Sequence, residues 1–235
     1  MSDARRGGGP SESVDNYLKA ILFLGGPDER RVSGTALATR LQVAPASVTN
    51  MLQKLAAASA PMVEYERHRG VRLTANGRRR ALEVVRHHRL IETFLFEVLD
   101  YPIEEVHDEA ERLEHFISER FEERIAAKLG YPSKDPHGHS IPSLTGEMQE
   151  AASVRLREAG GVGDCVIASV SDEDGEVLRH LKVLGMVPGA ELRIVSCDGA
   201  GRCAVRIGGA QNVVELTAAM ADGIRVTCAP VAAAV

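Results

Sequence analysis

The stretch VAPASVTNMLQKLAAASAPMVEYERHRGVRLT, residues 43–74, decides the fold. Pro45 suits the first turn of a helix, and Val48, Met51, Leu52 and Leu55 recur at spacings that place them on one apolar side. Ser47, Thr49, Asn50 and Gln53 fall elsewhere on that helix, as small polar groups able to hydrogen-bond to base edges. After it, Val63 and Tyr65 alternate with charged residues, a turn falls near Arg69-Gly70, and Val71 and Leu73 resume the alternation. That pattern predicts a hairpin tipped by Arg67, His68, Arg69 and Arg72. A basic hairpin directly after such a helix reads as a wing along a sugar-phosphate backbone; a solvated charged hairpin is the plainer alternative.

Upstream, Val14, Tyr17, Leu18, Ile21, Leu22 and Leu24 predict a helix over about Ser13–Leu24, broken by GGPDER. A second helix begins at Ser33 and runs through Leu37, Ala38 and Leu41, and the short turn QVA joins it to the helix of Pro45. Two short helices joined by a tight turn, followed by a hairpin, make a winged helix-turn-helix.

Downstream, a long helix is expected from Thr74 to about Leu99 and a second from about Ile103 to Leu129. Their apolar faces exceed what the winged module can cover, which suggests dimerisation through helices. In HDEAERLEH, residues 107–115, His107, Glu111, Glu114 and His115 fall within a sector of about 100° on one helix. His88 and Glu92 are four apart on the preceding helix. Imidazoles and carboxylates in this mixture suit Mn²⁺, Fe²⁺, Co²⁺ or Zn²⁺; an exposed polar helix face with intrahelical ion pairs is the alternative. Residues 131–146 read as a linker, and a short helix is expected near Glu147–Arg157. The runs CVIASV, AELRIVSC, CAVRIGG, VVELT and IRVTCAP, with one helix near Glu176–Leu184, predict a small SH3-like β-barrel.

The 235 residues suffice for two or three domains, and 44% hydrophobic content can supply their cores. No apolar run approaches the roughly 20 residues that span a bilayer, and the first residues lack a signal-peptide core, so a cytoplasmic chain without a membrane partner is expected. Cys165, Cys197, Cys203 and Cys228 include no CxxC pair and are expected to be reduced thiols. The net charge of −5 hides a partition: residues 1–80 carry 13 Lys/Arg against 7 Asp/Glu, and residues 104–123 carry 9 Asp/Glu against 2 Arg. The basic part suits phosphates and the acidic part suits cations.

NYLKAIL, VAPASVTNMLQKL, RGVRLT, GRRRALEVVRHHRLIETFL, VHDEAERLEH, DPHGHSIPS and LKVLGMVPGAEL occur in this order, and the set resembles the DtxR/MntR family of metal-dependent repressors over almost the whole chain. The last string is similar to the FeoA/SH3-like domain of its longer members. The resemblance implies a primary metal site at Asn16, Glu111, Glu114 and His115, with Asp15 as a substitute for Asn16. It implies an ancillary site at His88, Glu92 and His107, for which Asp174 and Glu176 are candidate further ligands. Pro45, Ser47, Thr49, Asn50, Arg67, Arg69 and Arg72 would contact DNA. Glu111 stands where iron-responsive members carry Cys, and a hard oxygen in place of a soft sulfur favours Mn²⁺, with Fe²⁺ as the alternative and Co²⁺, Zn²⁺ or Cd²⁺ as surrogates.

The expected layout is a disordered tail at 1–10, a winged helix-turn-helix at 11–75, a helical metal-binding and dimerisation domain with linker at 76–145, and an SH3-like domain at 146–235. This is a mainly α, multi-domain chain with a small β part, expected to bind a palindromic double-stranded DNA operator as a homodimer and to use no small-molecule substrate. It would be a repressor of metal-uptake genes and not an enzyme. The alternatives are a DNA-binding regulator with a structural metal and another signal, and a metal-dependent hydrolase; for the hydrolase, no HExxH motif occurs.

Overall fold

A computed structural model describes residues 12–148, 152–159 and 163–228; the expected tail at 1–10 lies outside them. The chain forms two compact units. The first contains the residues up to His87 together with Glu114–Ile117 and Pro142–Glu147; the second contains His88–Leu113, Ser118–Ile141 and the chain from Met148 onward.

In the first unit, α1 (Glu12–Gly25), α2 (Gly34–Leu41) and α3 (Pro45–Ala56) precede a hairpin of β1 (Val63–Glu66) and β2 (Gly70–Leu73). Leu18 and Ile21 of α1, Leu37 of α2, Val48 and Leu52 of α3 and Val71 of β2 are buried together, so the 3.6-residue pattern of each helix closes one core. Ser33 caps α2 by accepting the Ala36 N–H, an interaction that contributes about 1 kcal/mol. The hairpin is antiparallel with Glu66 opposite Gly70, and Val32 adds a bridge to Val71. At Gly70, φ is +90° and a Cβ would lie 2.5 Å from the Val32 carbonyl oxygen, so only glycine allows that third strand position to close.

The long helix α4 (Ala75–Leu99) leads into the second unit, where α5 (Val106–Leu113) and α6 (Glu119–Lys128) follow. The expected single helix over Ile103–Leu129 is therefore two helices separated by a turn. Ser118, with extended backbone, caps α6 by accepting the Phe121 N–H. Within the first unit the Glu114 carbonyl lies 3.1 Å from His87 Nδ1, a side-chain partner in place of a helical one. The turn takes Glu114 and His115 off α5, so the face expected to carry His107, Glu111, Glu114 and His115 together is divided.

The remaining strands are β3 (Val154–Arg155), β4 (Gly163–Val170), β5 (Glu191–Cys197), β6 (Cys203–Ile207), β7 (Val214–Leu216) and β8 (Ile224–Cys228), with α7 (Gly175–Val183) and α8 (Ala218–Asp222) between them. They form an antiparallel sheet in the order β3-β8-β4-β5-β6-β7 over a core including Ile167, Leu181, Met186, Ile194, Leu216 and Ile224. Where a helix is expected at 147–157, the described residues hold β3 and a 3₁₀ turn, Leu156–Glu158. The four cysteines are two disulfides and not free thiols: the register puts Cys165 opposite Cys228 and Cys197 opposite Cys203, and each pair is bonded.

Candidate metal centres and nucleic-acid interface

On α3, Val48, Leu52 and Leu55 are buried while Pro45, Ser47, Thr49, Asn50 and Gln53 are exposed, so the polar side chains project from a helix anchored by its apolar side. Thr49 donates its hydroxyl to the Pro45 carbonyl, which leaves Ser47 and Asn50 to project outward. On the hairpin, Arg69 pairs with Glu66 at 2.9 Å and Arg72 with Glu64 at 2.8 Å. These pairs are solvent-exposed and worth at most about 1 kcal/mol each, so a phosphate can compete for both guanidinium groups.

Among the described residues, potential metal ligands gather in both units. In the first unit, the Asp15 carboxylate is buried, accepts Nε and Nη2 of Arg80 at 2.8 Å each, and lies 3.3 Å from His115 Nδ1. Glu114, also buried, accepts from Lys19 Nζ at 2.8 and 2.9 Å through its two oxygens. His115 Nε2 stands 3.3 Å from Glu114 Oε1 without a hydrogen bond of proper geometry. Asp15, and not Asn16, thus supplies the helix-one carboxylate beside His115. Two carboxylates and an imidazole with an open nitrogen fit a divalent cation, provided that Lys19 gives way.

In the second unit, His88 and Glu92 sit one turn apart on α4, with His107 from α5 and Asp172 from the loop before α7. Glu92 Oε1 lies 2.9 Å from His88 Nε2 and 3.3 Å from His107 Nδ1, while Asp172 Oδ2 lies 3.5 Å from His107 Nδ1. Two ligands about 2.1 Å from one ion are themselves about 3.0–3.4 Å apart in tetrahedral or octahedral geometry, and this spacing fits. Glu92 is fully buried, yet its Oε2 has no hydrogen-bond partner among the described residues. A buried carboxylate oxygen left open in this way is costly unless a cation takes it.

Electrostatics in this cluster favour cations strongly. Burial pushes the Glu92 carboxyl up, but the charge of His88, hydrogen bonds from His107 and His88 and the His137 ring 3.8 Å away hold it well below the usual range. Burial likewise opposes ionisation of Asp172, and its hydrogen bond to His107 and the charge of His139 overcome this and lower it. For His107, burial pulls down while Asp172 and Glu92 raise its pKa to about 10. The proton on His107 is thus one of the charges that balance the carboxylates.

Asp174 and Glu176 do not join this cluster. Asp174 Oδ1 accepts the N–H groups of Glu176 and Val177 as the N-cap of α7, and both side chains belong to exposed residues. The carboxylate beside the histidines is Asp172. Glu111 is on α5, 3.9 Å from His88 Nδ1, and Glu114 and His115 belong to the other unit. Sequence reasoning also passed over the loop 135–141, read as linker: Asp135 and His137 are buried, and Val170 donates its N–H to the His137 carbonyl. The spacing of ligand types in DPHGH was the available signal.

An exposed polar helix with its basic hairpin, together with buried imidazole–carboxylate clusters, defines a DNA-binding protein that carries metal-binding centres. Residues 11–71 match the family described as iron dependent repressor, N-terminal DNA binding domain, residues 74–143 match its metal binding and dimerisation domain, and residues 154–228 match the FeoA domain. The iron-dependent repressor IdeR of Mycobacterium tuberculosis is 33% identical over 230 residues, covering 92% of this chain and 96% of that one. A manganese-dependent transcriptional repressor in complex with manganese superimposes with a TM-score of 0.84 at 37% identity, covering 92% of this chain and 100% of that one. ScaR with bound Zn²⁺ gives 0.78 at 32% identity, covering 93% and 99%. The chain belongs to the DtxR/MntR family of metal-dependent DNA-binding transcriptional repressors.

Proposed function

We propose that this protein represses metal-uptake genes by binding a palindromic operator as a homodimer when a divalent cation, Mn²⁺ in preference to Fe²⁺, occupies its buried sites. The observation that carries the reading is the His88–Glu92–His107–Asp172 cluster, with a buried carboxylate oxygen left open. Its oxygen and nitrogen donors, without thiolate, suit Mn²⁺ and Fe²⁺. The ancillary site is assigned to these four residues, and the primary site, within the first unit, to Glu114 and His115 with Asp15 in place of Asn16. The reading is of a cytoplasmic regulator that binds and does not catalyse; among the described residues, no helix is long and apolar enough to cross a membrane.

A bound divalent cation supplies charge that neutralises the carboxylates, in place of the imidazole protons. The chain's own groups do the rest. Glu92 and Asp172 hold the His107 ring between them, fixing α5 and the loop before α7 to α4. Asp15 secures His115 against α1 within the first unit, and Lys19 holds Glu114 there until a cation displaces it. Phe96, Leu99, Leu113, Phe121 and Tyr131 are exposed apolar side chains of the second unit, suited to a two-fold dimer contact. In such a dimer, Ser47 and Asn50 of each α3 would read successive major grooves, with Arg67, Arg69 and Arg72 on phosphates.

Selection of bound fragments from a genomic DNA pool, run with Mn²⁺, with Fe²⁺ under anaerobic conditions and with chelator, tests the reading. Enrichment of a palindromic site in the metal arms alone, upstream of metal-transport genes, is expected. Equal enrichment under chelator would overturn it in favour of a regulator with another signal.

A further inference from the structure

The loop 135–141 brings a second set of ligand types to the α4–α5 cluster within the second unit. Asp135 and His137 are buried, and His139 is partly so. His137 Nε2 lies 3.1 Å from the Ile103 carbonyl and donates to it, which leaves Nδ1 as the nitrogen facing inward; that atom has no hydrogen-bond partner among the described residues. A ring held through one nitrogen by a backbone carbonyl, with the other open, is how metal-ligating histidines are oriented. Asp135 Oδ1 accepts the N–H groups of His137 and His139, and Oδ2 is the buried atom left without a hydrogen bond, 3.4 Å from His139 Nδ1 and 3.6 Å from Arg89 Nε.

The two sets meet at two carboxylate oxygens. Glu92 Oε1 is 2.9 Å from His88 Nε2 on one side and 3.8 Å from His137 Nδ1 on the other. Asp172 Oδ2 is 3.5 Å from His107 Nδ1 on one side and 3.7 Å from His139 Nδ1 on the other. Each oxygen is therefore flanked by one imidazole of each set, an arrangement that suits two cations with carboxylates between them. Glu92, Asp172 and Asp135, with Glu111 beside His88, set four carboxylates against two divalent ions, and Arg89 adds one positive charge. Gly138 holds the loop in place: its φ is +89° and a Cβ there would lie 2.3 Å from the Ala168 carbonyl oxygen of β4.

We propose that this cluster is a two-cation centre, in which His88 and His107 serve one divalent ion, Asp135, His137 and His139 serve a second, and Glu92 and Asp172 lie between them. The proposal rests on the reading that His88, Glu92, His107 and Asp172 hold a metal at all. The second ion is of the same class as the first, a first-row divalent cation that accepts nitrogen and oxygen donors.

The test uses the full chain, stripped with chelator, dialysed against Mn²⁺ and analysed for bound metal, with the electron paramagnetic resonance spectrum recorded on the same samples. The wild type is expected to show the signal of an exchange-coupled manganese pair. His139→Gln, at a partly exposed position, is expected to lose one equivalent of Mn²⁺ per chain and the coupled signal together. Absence of a coupled signal in the wild type, with unchanged Mn²⁺ content in His139→Gln, would overturn the second ion. His88→Gln separates the two claims: if it lowers the content while His139→Gln does not, only the second ion fails. If neither variant lowers it, the underlying metal reading of the cluster fails as well.

Discussion

Replacing Glu92 by Gln keeps the shape of the side chain and removes one buried charge. Glu92 is fully buried, and its Oε1 faces His88 at 2.9 Å, His107 at 3.3 Å and His137 at 3.8 Å. Removing one partner of a buried charge pair costs about 3–5 kcal/mol. Part of that loss also falls on the metal-free protein, whose protonated imidazoles lose the same carboxylate, so about 3 kcal/mol remains as the difference in Mn²⁺ binding. At about 1.4 kcal/mol per tenfold change, the Mn²⁺ affinity of this cluster falls by about 100-fold. Isothermal titration of the chelator-stripped chain measures this directly. Glu109→Gln, which removes a more exposed carboxylate of α5 paired with Arg112, serves as the control and leaves the affinity unchanged. An affinity in Glu92→Gln within threefold of the wild type would refute the assignment of Glu92 as a ligand.

Three further outcomes follow from the same geometry. The folded pKa of His107, about 10, lies above the ordinary value of about 6.5. Its pairing therefore stabilises the metal-free protein fully below pH about 6.5 and is lost as pH rises through about 10; Tm in chelator should fall across that window, and a His107→Gln variant with the same slope would contradict this. Lys19→Met keeps the apolar stem but removes the ammonium hydrogen-bonded to both Glu114 oxygens; since such charged bonds contribute about 1.5–3 kcal/mol, Mn²⁺ affinity at Glu114 and His115 should rise about 10- to 100-fold, measured as a larger Mn²⁺-induced gain in Tm, and an unchanged gain would show that Lys19 does not compete. Gly138→Ala forces a Cβ against the Ala168 carbonyl in a left-handed conformation and should cost more than about 2 kcal/mol in chemical denaturation; a loss under about 0.5 kcal/mol would mean that the loop has another way to pack.

The winged module was legible because its signals are local. The apolar spacing of Val48, Leu52 and Leu55 shows which side of α3 is anchored, and the alternation around Arg69-Gly70 gives the hairpin. The break between α5 and α6 was not legible, since Glu114, His115 and Phe116 continue the helical pattern and their captors, Lys19 and Asp15, lie 95 and 100 residues away. Proline, glycine and serine in 131–146 report turns and say nothing of burial, so a loop ordered by the Asp135 carboxylate looked like a linker. Asp174, a candidate ligand through the family resemblance alone, is the N-cap of α7; Asp172, two residues earlier, carries no local sign of the histidines it meets. The disulfides depend on strand register, which cysteine spacing does not encode.

The central claim is that a cation in these buried clusters controls DNA binding. Its most direct test is the fluorescence anisotropy of a labelled operator fragment titrated with the full chain, with chelator and with Mn²⁺, at one fixed salt concentration because phosphate contacts make affinity salt-dependent. The account predicts binding at least tenfold tighter with Mn²⁺, a gain lost in Glu92→Gln. The same affinity with chelator and with Mn²⁺ would contradict it.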